Sequence, residues 1–340
     1  MIHQARNGIF AGGNWIIDII KIIDAYPPQE ALANILSESF SNGGSPYNLL
    51  IDLAKLKVNF PLEAFGLVGE DEKGQFIIDD CKRYKIDTNQ LNKTNLAPTS
   101  YTDVMTSKID GKRTFFHQRG ANAYLDATHI SLEKSQAKIF HLAYLLLLDK
   151  LDELDADGRT GASYIFEKAQ QLGFKTSTDV VSENSQRFEK VVTSTLPFIN
   201  YLFVNEFEAE RITGIKTSEI GNILVENCVA AASALIGMGV KDYVILHFPM
   251  GCITVDAQRK IVKQGSVKYP KEKIAGAVGA GDAFCAGVLA GLHDNLPISE
   301  CLVQGVSVAA ACLSAASCSG GIMHLYDCLR AGKWYGFYEM

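Results

Sequence analysis

The sequence predicts an α/β fold: a doubly wound, mostly parallel central sheet with helices on both faces, plus a small β-sheet set apart from it. Three observations lead there. From Ala137 onward, short β-prone runs alternate with helical ones at a spacing that suits parallel strands and crossover helices. The helix after Asp282 (Ala283, Phe284, Gly287, Val288, Ala290) and the run Val306–Ala316 are small and apolar with little polar surface, as expected of helices buried against a sheet. Residues Tyr101–His117 read instead as a hairpin turned at Asp110-Gly111, outside the alternating pattern.

Taken in order, Ile9–Asp18 is an opening strand and its exit, which places Asp18 at or near a strand end, where open sheets bind ligands. Asn42-Gly43-Gly44 is a turn. Ser45 or a neighbour then caps a helix with Pro46 in its first turn, continued by Asn48, Leu49, Leu50, Leu53, Ala54 and Leu56 at helical spacing. Leu62–Val68 is a second strand, closed by a glycine turn, and a helix follows from about Gly74 to Tyr84. Strand-like material before Asn42 joins the Tyr101–His117 hairpin as a small sheet suited to a lid or a dimer surface. The regular part then follows: strand Ile139–Leu148 with its continuation, helix Gly161–Leu172, strand Phe174–Val180 ending near Asp179, and helix Ser185–Ser194. Strand Tyr201–Asn205, a helix opening at Asn205, helix Val225–Met238, strands Tyr243–His247 and Cys252–Asp256, and a helix from Gly279 complete it.

Composition narrows the function. The 340 residues are 47% hydrophobic and 21% charged, ordinary for a globular chain, and a net charge of -6 gives no support to nucleic-acid binding. Met1–Arg6 lacks the basic start and long apolar run of a signal peptide, and Leu142–Leu148, the most apolar short run, is far too short for a membrane span. The 8 cysteines are scattered, with no zinc-like spacing, and Cys285, Cys301, Cys312 and Cys318 in the apolar C-terminal region read as buried thiols in a reducing compartment. The expectation is a cytoplasmic protein that binds neither nucleic acid nor membrane.

Chemistry concentrates at Gly276–Asp282. Gly279 and Gly281 allow a tight turn, the helix that follows offers unpaired N–H groups to an anion, and Asp282 stands beside them. A carboxylate there suits a general base that takes a proton while the N–H groups hold developing negative charge. A plain glycine turn with a capping Asp has the same letters. Gly43 and Gly44 let a ligand approach the backbone, and Asn48 offers a donor and an acceptor to hydroxyls. Arg119 is a candidate clamp or a surface residue. Asn205 and Glu208, three apart at a helix start, suit a phosphate or the waters of a magnesium ion, or form a capping box. No Gly-x-x-x-x-Gly-Lys-Ser/Thr loop, Gly-x-Gly-x-x-Gly fingerprint or Gly-x-Ser-x-Gly elbow is present, which argues against P-loop, NAD and serine-hydrolase readings.

In order along nearly the whole chain, Asp18, Gly43-Gly44…Asn48, the segment Gly66–Gly74, Asn205-x-x-Glu208 and Gly279-Ala280-Gly281-Asp282 together resemble the PfkB (ribokinase) family of carbohydrate kinases. The resemblance implies one ribokinase-like α/β domain over residues 1–340, with a β lid inserted at approximately 15–42 and 98–120. It implies transfer of the γ-phosphoryl group of ATP to a primary hydroxyl of a sugar or sugar acid, with Mg²⁺ held mainly through water by Glu208. Asp282 would be the base, with Gly279, Ala280 and Gly281 forming the anion hole. Asp18, Gly43, Gly44, Asn48 and Arg119 would face the acceptor; Asn205, Glu208, His247, Pro249, Gly251 and Ser307 would face the nucleotide. A homodimer through the lids is implied. The nucleotide side departs from the family pattern: Gly276-Ala277 stand where Asp-Thr is usual, and His247–Gly251 replaces Thr-x-Gly-x-x-Gly, one residue shorter. Those departures leave a non-catalytic sugar-binding homologue as one alternative, and a nucleoside kinase of the same fold is the other.

Overall fold

The computed structural model describes residues 5–183 and 185–340; the first part of the Met1–Arg6 segment read above for a leader lies outside them. Strand β1 (Ile9–Gly13) enters the middle of the main sheet, and the chain leaves at once for a small sheet through β2 (Ile16–Ile23) and β3 (Ile35–Gly43). Helix α1 (Ser45–Leu56), β4 (Leu62–Gly69), α2 (Glu72–Arg83) and β5 (Asp87–Thr94) return to the main body, and β6 (Tyr101–Ser107) and β7 (Arg113–Gln118) complete the small sheet. Then come β8 (Ile139–Ala143), α3 (Asp149–Asp152), α4 (Gly161–Gln171), β9 (Lys175–Asp179), α5 (Phe188–Thr193), β10 (Tyr201–Asn205) and α6 (Glu206–Thr213). A tiny ribbon, β11 (Ser218–Glu219) with β12 (Asn222–Ile223), precedes α7 (Val225–Gly237), β13 (Tyr243–Phe248), β14 (Gly251–Asp256) and β15 (Ile261–Gly265). Three helices close the chain: α8 (Ala280–His293), α9 (Ile298–Cys312) and α10 (Leu325–Tyr335).

The main sheet has nine strands in the order β15-β14-β13-β10-β9-β8-β1-β4-β5. From β5 to β13 every pairing is parallel; β14 and β15 are antiparallel additions at one edge. Both faces of the central strands are covered, which is why β1, β8 and β10 are almost continuously apolar rather than alternating. One face packs on α1, α8 and α9 through Leu49, Leu50, Phe284, Val288 and Val308. The other packs on α4, α6 and α7 through Phe166, Ala209 and Leu235, with Phe10, Phe65 and Phe140 clustered beneath. This is the doubly wound fold with a separate small sheet, ordered β3-β2-β6-β7, that the sequence predicts.

Several elements differ in detail. Asp18 is not at the exit of the opening strand; it sits inside β2, the first strand of the small sheet, because β1 ends at Gly13 and the chain re-pairs at Ile16. Ser45 does not cap α1. Gly44, at φ 81, holds the N-cap position, and the Ser45 hydroxyl donates instead to Asp179 at 2.5 Å. The last apolar run stops at Cys312, short of Ala316, and α5 is shorter than Ser185–Ser194. Strands β5 and β15 and helix α10 have no counterpart in the sequence reading. Among the described residues no helix is long and apolar enough to cross a membrane.

Candidate active site

The parallel strands deliver their C-terminal ends to one edge of the sheet, and functional side chains collect there. Gly13 and Ala143 are register partners at the ends of β1 and β8; Asn205 and His247 are partners at the ends of β10 and β13. Tyr144 and Asp179 follow or end β8 and β9. Helix α8 points its N-terminus at the same edge.

Gly279 caps α8 at φ 77, in the left-handed region, and a Cβ there would lie 2.8 Å from the Cβ of Cys318. Both facts demand glycine. Behind it, the N–H groups of Gly281 and Asp282 have no intramolecular acceptor among the described residues, the state expected of a helix's first turn. Asp282 is buried and both carboxylate oxygens are engaged: Asn48 Nδ2 donates to Oδ2 at 2.7 Å, and the Tyr144 hydroxyl reaches Oδ1 at 3.4 Å. Burial raises its pKa to about 6, partly offset by those donors and by Ser45. Asn48 is in turn held by Asn42, whose Nδ2 donates to Asn48 Oδ1 at 2.6 Å. Asn48 therefore orients Asp282 from the first turn of α1.

Asp18 approaches from the small sheet, with Gly43 directly against its carboxylate and the Cys318 thiol 3.8 Å from Oδ2. Burial pushes Asp18 up to about 7. Asp179 accepts from Ser45 Oγ and from the Tyr144 N–H at 2.8 Å, and burial together with the neighbouring Asp282 raises it to about 7. Asp52, one helical turn after Asn48, is fully buried, and neither of its oxygens meets a donor in bonding geometry. No lysine or arginine forms an ion pair with Asp18, Asp52, Asp179 or Asp282 among the described residues. Arg119 does not supply one. It donates to Leu146 O at 2.9 Å and pairs with Asp149 at 3.1 Å and Glu183 at 3.6 Å.

On the far side of the α8 N-terminus lies a cavity of about 460 Å³. Its polar end is formed by Asn205, Glu206, His247, Ala280 and Gly281; its walls are Met250, Tyr269, Ile274, Phe284, Ala309 and Leu313. Pro249 and Gly251 line it, so the shortened segment after β13 shapes the cavity without filling it. Ser307 does not line it. It is buried on the other side of α9, its hydroxyl facing Gly332 of α10, while Val306, Ala309 and Ala310 take the cavity side. Asn205 and Glu208 form a reciprocal capping box: Asn205 Oδ1 accepts from Glu208 N at 2.8 Å, and Glu208 Oε2 accepts from Asn205 N at 2.9 Å. Glu208 Oε1 accepts from Ser182 Oγ at 2.7 Å, and burial raises this carboxyl to about 8. From the small sheet, Arg113 extends a guanidinium over the loop before α8; a Cβ on Gly276 would lie 3.2 Å from it.

Sequence reasoning missed Tyr144, Asp179 as a site residue, Asp52 and Arg113. Only Asp179 carried a signal, its place at a strand end; the others depend on tertiary placement.

A buried carboxyl beside unpaired helix N–H groups, with Asp18 and Asn48 on one hand and an apolar cavity on the other, suits a phosphotransferase with an alcohol acceptor. Residues 13–324 match the pfkB family carbohydrate kinase pattern, and the chain belongs to that family. An uncharacterized sugar kinase of Archaeoglobus fulgidus is 24% identical over 77% of this chain and 95% of its own length. Adenosine kinase 1 of Arabidopsis thaliana is 28% identical over 94% of this chain and 98% of its own. Among solved structures, an Arabidopsis thaliana ribokinase complexed with ribose and ATP superposes with a TM-score of 0.79 at 21% identity, covering 96% of this chain and 98% of that one.

Proposed function

We propose that the protein transfers the γ-phosphoryl group of ATP to a primary hydroxyl of an uncharged sugar or nucleoside. The observation that carries this reading is the position of Asp282, with free N–H groups beside it and the two half-sites on either hand. The acceptor alcohol lies between Asp18 and Asp282, and the triphosphate enters from the cavity, its base against the apolar face of α9. Asp282 Oδ1, the less tightly held oxygen, takes the hydroxyl proton as the acceptor oxygen bonds to the γ-phosphorus. The bond from that phosphorus to the β–γ bridging oxygen breaks, and ADP leaves. The N–H groups of Gly281 and Asp282 hold the charge on the transferred phosphoryl oxygens.

The acceptor is uncharged because Arg119, the cation expected to meet an acid group, is committed to Asp149 and Glu183, while Asp282 keeps a carboxylate beside the acceptor. This reading replaces the role expected of Arg119, whose guanidinium is already committed. The relatives leave the choice between sugar and nucleoside open, since both kinds of kinase are among them. The open cavity beside Pro249 favours nucleotide binding over a non-catalytic homologue.

Magnesium fits only as a hydrated ion. No group of three or more His, Cys, Asp or Glu residues could cage it among the described residues, and both Glu208 oxygens already accept hydrogen bonds. Asn205, Glu206 and Glu208 would hold its water shell, and the ion would screen the phosphates. The exposed Phe40, Phe115 and Phe116 of the small sheet support a homodimer through that sheet.

The test measures ADP release with adenosine, D-ribose, D-fructose and a sugar acid as acceptors. Turnover with an uncharged acceptor, lowered about 10²- to 10⁴-fold by Asp282→Asn, is expected. Full-speed Asp282→Asn, or preference for the sugar acid, overturns the reading.

A further inference from the structure

We infer that Tyr144 is a positioning residue for the base: its hydroxyl fixes and tunes Asp282, and the strained backbone at Tyr144 exists to deliver it. The inference rests on the reading of Asp282 as the base.

Tyr144 directly follows β8, and its φ of 54 lies in the left-handed region that a side chain with a Cβ rarely adopts. Such outliers persist only where the surroundings impose them. Here both ends of the residue are gripped. Its N–H donates to Asp179 Oδ1 at 2.8 Å, and Asn14 Nδ2 donates to its carbonyl at 3.1 Å. Asp179 is itself fixed by Ser45 at the start of α1. The residue after β1, the end of β9 and the start of α1 thus hold one residue in a disfavoured conformation, and its phenol reaches Asp282 Oδ1. An ordinary extended backbone at this point would direct the side chain elsewhere. The phenol is a donor that stays protonated at physiological pH, since burial and the surrounding carboxylates raise its pKa further.

Asn48 and Tyr144 therefore hold the two oxygens of Asp282 from opposite sides, one tightly and one loosely. The loose contact at 3.4 Å marks Oδ1 as the oxygen that receives the acceptor proton, with the phenol steadying the carboxylate before transfer. A donor to the ionised form lowers a carboxyl pKa. Removing it should raise that of Asp282. The other titratable groups around Asp282 are Asp18 from β2, Asp52 from α1, Asp179 from β9, Cys285 on α8 and Cys318 beyond α9. All stay in place when only the hydroxyl is deleted.

The experiment compares wild type, Tyr144→Phe and Asp282→Asn. Protein carrying ¹³C-labelled aspartate is titrated by NMR, with the Asp282 resonance assigned from its loss in Asp282→Asn. Steady-state rates are measured across pH with the best of adenosine, D-ribose and D-fructose. In Tyr144→Phe the Asp282 midpoint and the acid limb of kcat/KM are expected to rise by about one pH unit, and kcat to fall roughly tenfold. KM for ATP stays unchanged. If Tyr144→Phe does not fold, site-specific 3-fluorotyrosine at position 144, a stronger donor of nearly the same shape, should move both midpoints to lower pH. An Asp282 midpoint that moves in neither variant, with kcat within about twofold of wild type, overturns the inference. An active Asp282→Asn protein would instead overturn the assignment of the base itself.

Discussion

Glu208→Gln separates the structural and functional roles of one side chain. Glutamine can keep the capping box with Asn205 and still face Ser182, so the start of α6 remains intact. What it removes is a buried acid raised from 4.5 to about 8. For a group raised in the folded state, the effect on stability follows from which state holds the proton. Below pH 4.5 both folded and unfolded chains carry it. Between pH 4.5 and about 8 the unfolded chain loses its proton while the folded one keeps it, so wild-type stability falls as pH rises. Above about pH 8 the loss is complete. At about 1.4 kcal/mol per pH unit, this removes roughly 3 to 5 kcal/mol across the window. Glutamine has no such window. Urea unfolding of both proteins from pH 4.5 to 9 should show near equality at the acid end and the variant more stable by that amount at the alkaline end. The other buried acids titrate in both proteins and cancel in the difference. A gap that does not change with pH, or a variant less stable than wild type at pH 8.5, refutes the assignment of Glu208 as a buried acid raised by desolvation. Because Glu208 is already uncharged below about pH 8, the same protein should need nearly the same Mg²⁺ for half-maximal rate at pH 7 and more only above pH 8.

Gly279→Ala should destabilise the fold by about 1 to 2 kcal/mol from the left-handed backbone alone, with a further loss from the Cβ driven against Cys318. Thermal melting and the KM for ATP should both worsen, and a variant with wild-type values of both would deny the turn its role. Phe116→Glu, on the exposed face of β7, should convert dimer to monomer in sedimentation velocity; a wild-type protein that is monomeric at micromolar concentration removes the basis for the lid dimer. The wild-type acid limb of kcat/KM should lie near pH 6, where Asp282 gains its proton and can no longer accept one.

The sequence carried the fold because its long-range signals were redundant. Alternating strands and helices after Ala137, and the apolar runs of α8 and α9, all require helices buried on a parallel sheet. It also carried placements that depend on local spacing: Gly279 to Asp282 at a helix start, and Asn205 with Glu208 in a capping box. Side-chain direction was not legible where tertiary packing decides it. Ser307 faces α10 rather than the cavity, a difference of one helical face. Arg119 was free in the sequence and is bound to Leu146, Asp149 and Glu183 in the fold. Tyr144 looked like part of an apolar run, since nothing in Leu142–Leu148 announces a left-handed backbone. Polar β5 (Asp87–Thr94) lies at the sheet edge, where one flank is unpaired and the apolar requirement relaxes.

The passage from β1 into β2 needs only Asn14 and Trp15, and Trp15 is locked in place, its indole N–H bonded to Phe65 O at 2.8 Å. Asp18 stands three residues beyond that pin, on the small-sheet side of it. On the proposed function, the small sheet and one grip on the acceptor are thus a single piece, since Asp18 lies within β2. An acceptor hydroxyl bonded to Asp18, as proposed, would add to the contacts that already join the small sheet to the main body, Asn42 Nδ2 to Ser319 Oγ at 3.0 Å and the Cys318 thiol to Asp18 Oδ2 at 3.8 Å.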